Sequence, residues 1–473
     1  MTPRHPRLWF ALLSALVFGG SSARTAPAAG RATDRLVVVS VSDLKAKTSP
    51  CGCSVPRGGF GRMATILDSL RSADAPVVFV DGGGCFPDVP GRPDLPPFVL
   101  ASYARMQLDA MGIGPRDLQF GLAFLRAVTR SAATPVTCAN LFDRTTGRPA
   151  FPTSRMIERD GIKIGVFALY GDRLDLGPAR DSLEVREPEN VAHATVRELK
   201  ARGAQVIVLL AQLGRVGGED LATAVPGIDL VVLGYEIPVY MDGRRVADTI
   251  LSYGGDQGQH IGVATFGLGP DGGVRSRDAV LHNLGPEVAM QAAMQGRVRD
   301  FEDAYNESMR IQQRQEQALA DRDPDQDPVD HFVGGEICAR CHEAEAKQWA
   351  TTAHSLAWET LVREKKDATP ECVTCHSVGY TQPGGFRDAV STPHLVNVQC
   401  ENCHGMGTLH APTWYAKNAG TEATCRSCHN AERDPGFNYA AKLPLMLHSN
   451  SSGESIRLIQ ARRQKADPGM RGH

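Results

Sequence analysis

The sequence predicts an α/β layered domain followed by a mostly α-helical and irregular domain. Three observations predict it. From residue 35 to about 283, short apolar runs of strand length alternate with stretches of helical spacing, the pattern of packed strand and helix layers. From 338 to 429 the pentapeptide C-x-x-C-H occurs four times. Between the two, residues 284–330 are polar, first with helical spacing and then broken by prolines and acids.

The chain opens with Arg4 and Arg7, then the apolar run Leu8 to Phe18, then small-residue exits at Ser21-Ser-Ala23 and Ala26-Pro-Ala28. This is a secretory signal peptide over 1–28. The apolar run is shorter than the ~20 residues a bilayer-spanning helix needs, and no other long apolar segment follows. The expectation is cleavage, a periplasmic location and no stable membrane span in the mature chain, with an uncleaved anchor as the alternative.

Strands are expected at 35–41, 76–80, 135–139, 162–168, 206–210 and 230–233, with 260–266 as the last of the domain. Helical spacing falls at 62–71, 98–111, 121–130 and 190–202. Together these make the α/β domain, 35–283. Residues 286–320, rich in Gln, Arg, Glu and Ala, predict one long solvated helix. Asp321 to Asp330, with two prolines and five acids, predicts a linker. The second domain then runs from 331 to 473.

The formal net charge is −2, and loss of 1–28 removes Arg4, Arg7 and Arg24 and no acid, leaving the mature chain near −5. Such a balance gives no reason to expect nucleic-acid binding. Aromatic content is only 6%, so the second domain needs an apolar core from some other source.

The four motifs are Cys338-Ala-Arg-Cys341-His342, Cys372-Val-Thr-Cys375-His376, Cys400-Glu-Asn-Cys403-His404 and Cys425-Arg-Ser-Cys428-His429. C-x-x-C-H is the attachment signature of c-type haem: two thioether bonds to the porphyrin and the adjoining His on the iron. Paired C-x-x-C also occurs in zinc ribbons, but zinc does not require a His after every second Cys. Four c-type haems are therefore expected, and their porphyrins would supply the missing apolar core. Attachment outside the cytoplasm agrees with the export signal.

Around the motifs stand Val333-Gly-Gly-Glu-Ile-Cys338, Trp349-Ala-Thr-Thr-Ala-His354, Pro370-Glu-Cys372 and the run Val398-Gln-Cys400-Glu-Asn-Cys-His-Gly-Met-Gly-Thr-Leu-His410. This stretch resembles the cytochrome c554 type of multihaem cytochrome over about 331–450, most specifically in V-x-C-E-x-C-H-G-x-G-x-x-H. The resemblance implies closely stacked haems, many of them held by two histidines. His354, His410 and His448 are the leading candidates for the distal ligands. His394 is weaker, because it sits between Pro393 and Leu395 in a loop-like stretch. His331, His473 and Met446 are weaker still. Enough histidines are present to saturate all four irons, which favours electron transfer over catalysis at haem. Three good candidates alone would leave one iron open.

The α/β domain, from about 36 to 268, resembles the calcineurin-like metallophosphoesterases of the periplasmic 5′-nucleotidase branch. Those enzymes hold two metal ions at strand C-termini to activate water. Aligned on the family's motifs, Asp43 is kept, but Lys45, Gly84, Arg116 and Gln212 stand where ligands belong, and Gly234-Tyr-Glu-Ile237 has neither of its expected histidines. Lys and Arg are cations and poor metal ligands. The resemblance therefore implies the fold without the dinuclear centre.

Cys51, Cys53 and Cys85 follow strands of this domain, and Cys138 lies near the end of the strand expected at 135–139. Strand C-termini of an open α/β sheet converge on one crevice. The four thiols are read as disulfides, suited to an oxidising compartment, as a thiolate site for a metal or an iron–sulfur centre, as a redox-active pair, or as unrelated thiols. The glycine-rich loop Pro50 to Gly61 is a turn or an anion cradle. His193 and His260 read as structural.

The favoured function is a periplasmic multihaem electron-transfer protein with redox-protein partners, its α/β domain serving docking or a thiolate redox or metal site. The alternative is a multihaem oxidoreductase acting on a small nitrogen or sulfur compound. A working 5′-nucleotidase with a cytochrome tail ranks third.

Overall fold

Strand alternation builds the N-terminal core. In β1 (Arg35–Val41), Leu36 and Val38 face one side while Val37 and Val39 face the other, and all four are buried. A strand buried on both faces must lie between layers. The computed structural model describes residues 34–50, 55–73, 75–88, 91–320, 330–410, 420–431 and 433–448. The expected signal peptide, the linker residues 321–329, Cys51, Cys53 and His473 lie outside the described residues.

Along the first sheet run β1, β2 (Val77–Asp81) and β3 (Ala110–Met111) in parallel, flanked by β12 (His260–Leu268) and β13 (Val274–Asn283). The second sheet holds β5 (Arg155–Arg159), β6 (Ile162–Tyr170), β8 (Val206–Gln212), β9 (Leu230–Gly234), β11 (Thr249–Tyr253) and β10 (Arg244–Val246). The strands β6, β8, β9 and β11 are parallel. A small ribbon pairs β4 (Leu141–Asp143) with β7 (Leu183–Val185). Leu36, Val38, Val78 and Val80 of the first sheet share a core with Ile164, Val166, Val208 and Val232 of the second, so the two sheets pack face to face.

Helices cover the outer faces. On the first sheet lie α1 (Phe60–Arg71), α2 (Leu95–Arg105) and α3 (Leu122–Ser131). On the second lie α4 (Pro188–Ala201) and α5 (Gly214–Ala224). The order of layers is helix, sheet, sheet, helix.

Three expectations differ from this. The helical stretch 98–111 is α2 followed by β3. Gln107, at φ 56°, turns the chain, and Asp109 enters the sheet through its N–H to the Phe79 carbonyl and its carboxylate to the Phe79 N–H. Residues 135–139 form no strand: Val136 makes one bridge to Met111, while the Cys138 and Ala139 N–H groups go to Pro152 and Ala168. The last strand is β13, not 260–266; its first half carries Arg275, Arg277 and Asp278, charges that mask the apolar alternation.

The long helix α6 (Ala292–Ala320) leaves the α/β domain and reaches the C-terminal one. Beyond it come α7 (Gly335–Ala339), α8 (Glu343–Trp349), α9 (Ala357–Arg363), α10 (Pro370–His376), α11 (Cys400–His404), α12 (Glu422–Arg426) and α13 (Tyr439–Met446). The only hydrophobic cluster among the described residues here is small: Phe332, Trp358, Leu361, Val373, Val378, Phe386 and Leu395. No described helix is long and apolar enough to cross a membrane.

Candidate haem and strand-end sites

Each C-x-x-C-H sits on or just after a short helix. The turn is tight: the His342 N–H bonds the Cys338 carbonyl, and the His429 N–H bonds the Cys425 carbonyl, both at 2.9 Å. This brings the two cysteines and the His of a motif to one end of a helical turn, as attachment to one porphyrin requires. Motifs also meet one another. Cys338 lies beside Cys400, and Cys375 beside Cys428, so the first motif abuts the third and the second abuts the fourth.

Three motif histidines each face a histidine from elsewhere in the chain. His342 faces His410 with ring centres 6.2 Å apart, His429 faces His354 at 6.1 Å, and His404 faces His448 at 6.1 Å. Two metal–nitrogen bonds of about 2 Å, each extended by roughly 1 Å to the ring centre, span about 6 Å. The stacked Phe98 and Phe301 rings, by contrast, stand 3.9 Å apart. The histidine separations are those of two imidazoles on one metal, so these residues fit an iron between them.

Neighbouring groups orient the rings. Asp434 accepts from His429 Nδ1 at 2.9 Å, and the Ala357 carbonyl accepts from His376 Nδ1 at 2.6 Å. His448 Nδ1 lies 3.2 Å from Gln348 Oε1. Fixing Nδ1 in this way directs Nε2 toward a metal. Burial pushes His354 down to about 4, with His429 and His376 adding to it, so its imidazole is neutral and able to ligate. His376 is also lowered, by burial first. Among the described residues, no second imidazole faces His376. His394 is exposed on the turn Pro393–Leu395, where its carbonyl accepts from Gln399, and it faces no motif histidine.

Glu401, inside the third motif, carries a role its sequence position did not reveal. It is 4% exposed, and its carboxylate accepts from the N–H groups of Val333, Gly334 and Gly407. The residues just after the third motif and those before the first are thereby tied to one anion.

In the α/β domain the strand ends converge as expected. Ser42, Asp43, Gly84, Gly114, Gln212 and Gly234 meet there, and two cations join them. Lys45 pairs with Asp256 at 3.0 Å; Arg116 bonds Asp88 and stands 3.9 Å from Asp43. Asp43 accepts from the Tyr235 N–H at 2.7 Å. Burial raises its carboxyl to about 6, opposed by the Tyr235 N–H and then by Arg116. Gln212 is fully buried and donates to Ser42 Oγ and the Gly83 carbonyl. The packing is close. A Cβ on Gly84 would stand 2.5 Å from Asp43 Oδ1, and one on Gly114 would stand 2.6 Å from Gln212 Oε1. Asp117, fully buried, accepts from the N–H groups of Gly84, Cys85, Phe86 and Gly114 and anchors the loop after β2.

Cys85 and Cys138 are buried free thiols in the helix-covered core of the first sheet. Burial pushes Cys138 up to about 12 and Cys85 well above the usual thiol range. Cys138 lies 3.6 Å from Asn140 Oδ1. Among the described residues there is no group of three or more His, Cys, Asp or Glu placed to hold a metal ion.

Residues 337–405 match the family described as cytochrome c554 and c-prime. The C-terminal region carries a cytochrome c554 domain, and that family implies c-type haem. It is 36% identical over 91 residues to cytochrome c-554 of Nitrosomonas europaea, covering 16% of this chain and 39% of the relative. The N-terminal region is 25% identical over 215 residues to an uncharacterized metallophosphoesterase, YunD, of Bacillus subtilis, covering 43% of this chain and 46% of that one. Its fold is that of 5′-nucleotidases and calcineurin-like phosphoesterases. The solved 5′-nucleotidase precursor from Thermus thermophilus superposes with a TM-score of 0.50 at 19% identity, over 56% of this chain and 58% of that one. The sulfate thiohydrolase SoxB from the same species does so at 0.51 and 16%, over 56% and 60%. The chain spans less than half the length of the two curated relatives, cytochrome c-554 and YunD.

Proposed function

We propose that the protein is an exported tetrahaem c-type cytochrome that transfers electrons, joined to a phosphoesterase-like domain that has lost its metal centre. The observation that carries the reading is the set of three histidine pairs, each about 6 Å apart and each containing one C-x-x-C-H histidine. Bound c-type haem supplies one-electron chemistry. The protein's part is to attach each porphyrin through two cysteines and to hold paired imidazoles on three irons, which keeps water and substrates off them. His429 and His448 are steered by Asp434 and Gln348. The meeting of the first motif with the third, and of the second with the fourth, supports short electron paths between haems. A pyridine haemochrome assay is expected to find four haems per chain; fewer than three would defeat the reading.

The export signal and the c-type haems support a periplasmic location. Redox proteins are the expected partners.

The residues at the α/β strand ends do not fit a pair of divalent ions. Lys45 and Arg116 bring positive charge, Gly84 has no room for a carboxylate, and Gln212 fills the space beside Gly114. The domain is read as a docking module or as carrier of a thiol redox or metal site built on Cys51, Cys53, Cys85 and Cys138. One contact ties the loop before Cys51 to the helix that reaches the cytochrome domain: Ser49, two residues before Cys51, donates to Glu302 of α6. Phosphomonoester hydrolysis that depends on added manganese would overturn the loss of the metal centre. Iron in excess of four per chain would mark a thiolate-bound cluster.

A second reading has its own observation. His376 is opposed by no described imidazole, which leaves its iron an open position for a small nitrogen or sulfur compound. Cyanide or nitric oxide is then expected to bind one iron in four; spectra unchanged by either ligand would remove this reading.

A further inference from the structure

The motif histidine without an opposing imidazole sits on α10, the helix that also carries Cys372 and Cys375. That helix is held from outside its own domain. Asn306, on α6 and 2% exposed, donates through Nδ2 to the Lys365 carbonyl and accepts through Oδ1 from the Thr369 hydroxyl. Thr369 is the N-cap of α10. An N-cap threonine ordinarily accepts from the first-turn N–H groups, but here its side chain makes no such bond, and the Cys372 and Val373 N–H groups bond its carbonyl instead. The start of α10 therefore takes its position from Thr369, and Thr369 takes its position from Asn306.

Ion pairs brace the same seam. Arg310 meets Asp367 at 2.6 Å and Lys365 meets Asp303 at 2.8 Å. The other end of this stretch of α6 is fixed to the α/β domain. Phe301 stacks on Phe98 with planes 12° apart, Arg92 lies 3.2 Å over the Tyr305 ring, and Met294 and Val298 are buried with α1 and α2. A cavity of about 880 Å³ lies along the seam, lined by Tyr305, Glu371 and Thr374 among others.

We propose that Asn306 is a positioning residue for the haem of the second motif. Through Thr369 it fixes the helix bearing Cys372, Cys375 and His376, so that the α/β domain sets the geometry at the iron with the open position. This rests on the tetrahaem reading above, and the test separates the two. Holoprotein carrying Asn306→Ala or Thr369→Val is compared with its parent by pyridine haemochrome, by EPR and by redox titration of the Soret band. Arg314→Ala, on the same helix but outside the seam, serves as control. The expected result is four haems in every variant, with a changed high-spin signal and a shifted midpoint for one haem only. The low-spin signals should stay as in the parent. The double variant should shift no further than either single one, because the two side chains act through one bond. An unchanged high-spin signal and midpoint in both variants, or equal shifts at all four haems, would overturn the proposal. A parent holding fewer than four haems would overturn the reading beneath it as well.

Discussion

Single side chains decide how the irons are held. His354→Ala removes the imidazole that faces His429, and the expected outcome is the conversion of one low-spin haem to high spin, read by EPR with the haem count intact. An unaltered low-spin spectrum would show that His429 takes its partner elsewhere. Glu401 acts on the protein rather than the metal. Its buried carboxylate satisfies three backbone N–H groups, and Glu401→Gln exchanges that anion for a neutral amide able to accept fewer of them. Charged hydrogen bonds of this kind are worth about 1.5–3 kcal/mol each, so a loss on the order of 2 kcal/mol is expected in guanidinium unfolding followed at the Soret band. In the α/β domain, burial raises Asp43 to about 6 and Asp81 to about 7 from 3.8. Between about pH 4 and 7 the native state therefore holds more protons than the unfolded chain, and stability falls as pH rises through that window. Asp81→Asn keeps an acceptor for the Gly83 N–H and is expected to flatten the fall in melting temperature; an unchanged slope would assign the effect to other groups.

Among the elements, α6 departs most from its sequence. Read alone, residues 286–320 are a solvated helix, since Gln, Arg and Glu dominate. In the structure, Met294, Val298 and Asn306 are buried and Phe301 stacks on Phe98. Phe301→Ala should cost about 2–3 kcal/mol, the low end for removing a half-buried aromatic ring. Earlier proteolytic cleavage between the domains is expected, and cleavage at the parent's rate would mean that the helix is only a tether. Much else at this scale was legible. The runs 35–41, 162–168 and 206–210 are mostly apolar because parallel strands between two layers are buried on both faces. Four repeats of C-x-x-C-H, and a His after a helical segment or within a motif phrase, singled out His354, His410 and His448, each of which stands about 6 Å from a motif histidine. What was hidden depended on distant partners. The charges on β13 conceal a strand whose partner is β12, and nothing local marks Asn306 as the residue that meets Thr369. Glu401 stood in plain view within a motif, but a carboxylate's burial is set by the backbone that folds over it.

At the scale of the whole molecule, the two domains hold themselves together by different means. The α/β domain has three extensive side-chain cores. The C-terminal domain has one described cluster of seven residues, too little apolar area to offset chain entropy over a segment of its length. Protein made without haem attachment is thus expected to keep a protease-resistant α/β domain and lose everything beyond α6. A haem-free C-terminal domain that resisted digestion would contradict this. The order of the histidine pairs adds a consequence for biogenesis. His342 of the first motif awaits His410, which follows the third; His404 awaits His448, near the end of the described chain; His429 of the fourth reaches back to His354, which precedes the second. On the proposed reading, a chain exported N-terminus first would offer His354 to the first two irons before His429 had followed. Maturation would then pass through temporary axial pairings that exchange when the C-terminal histidines arrive.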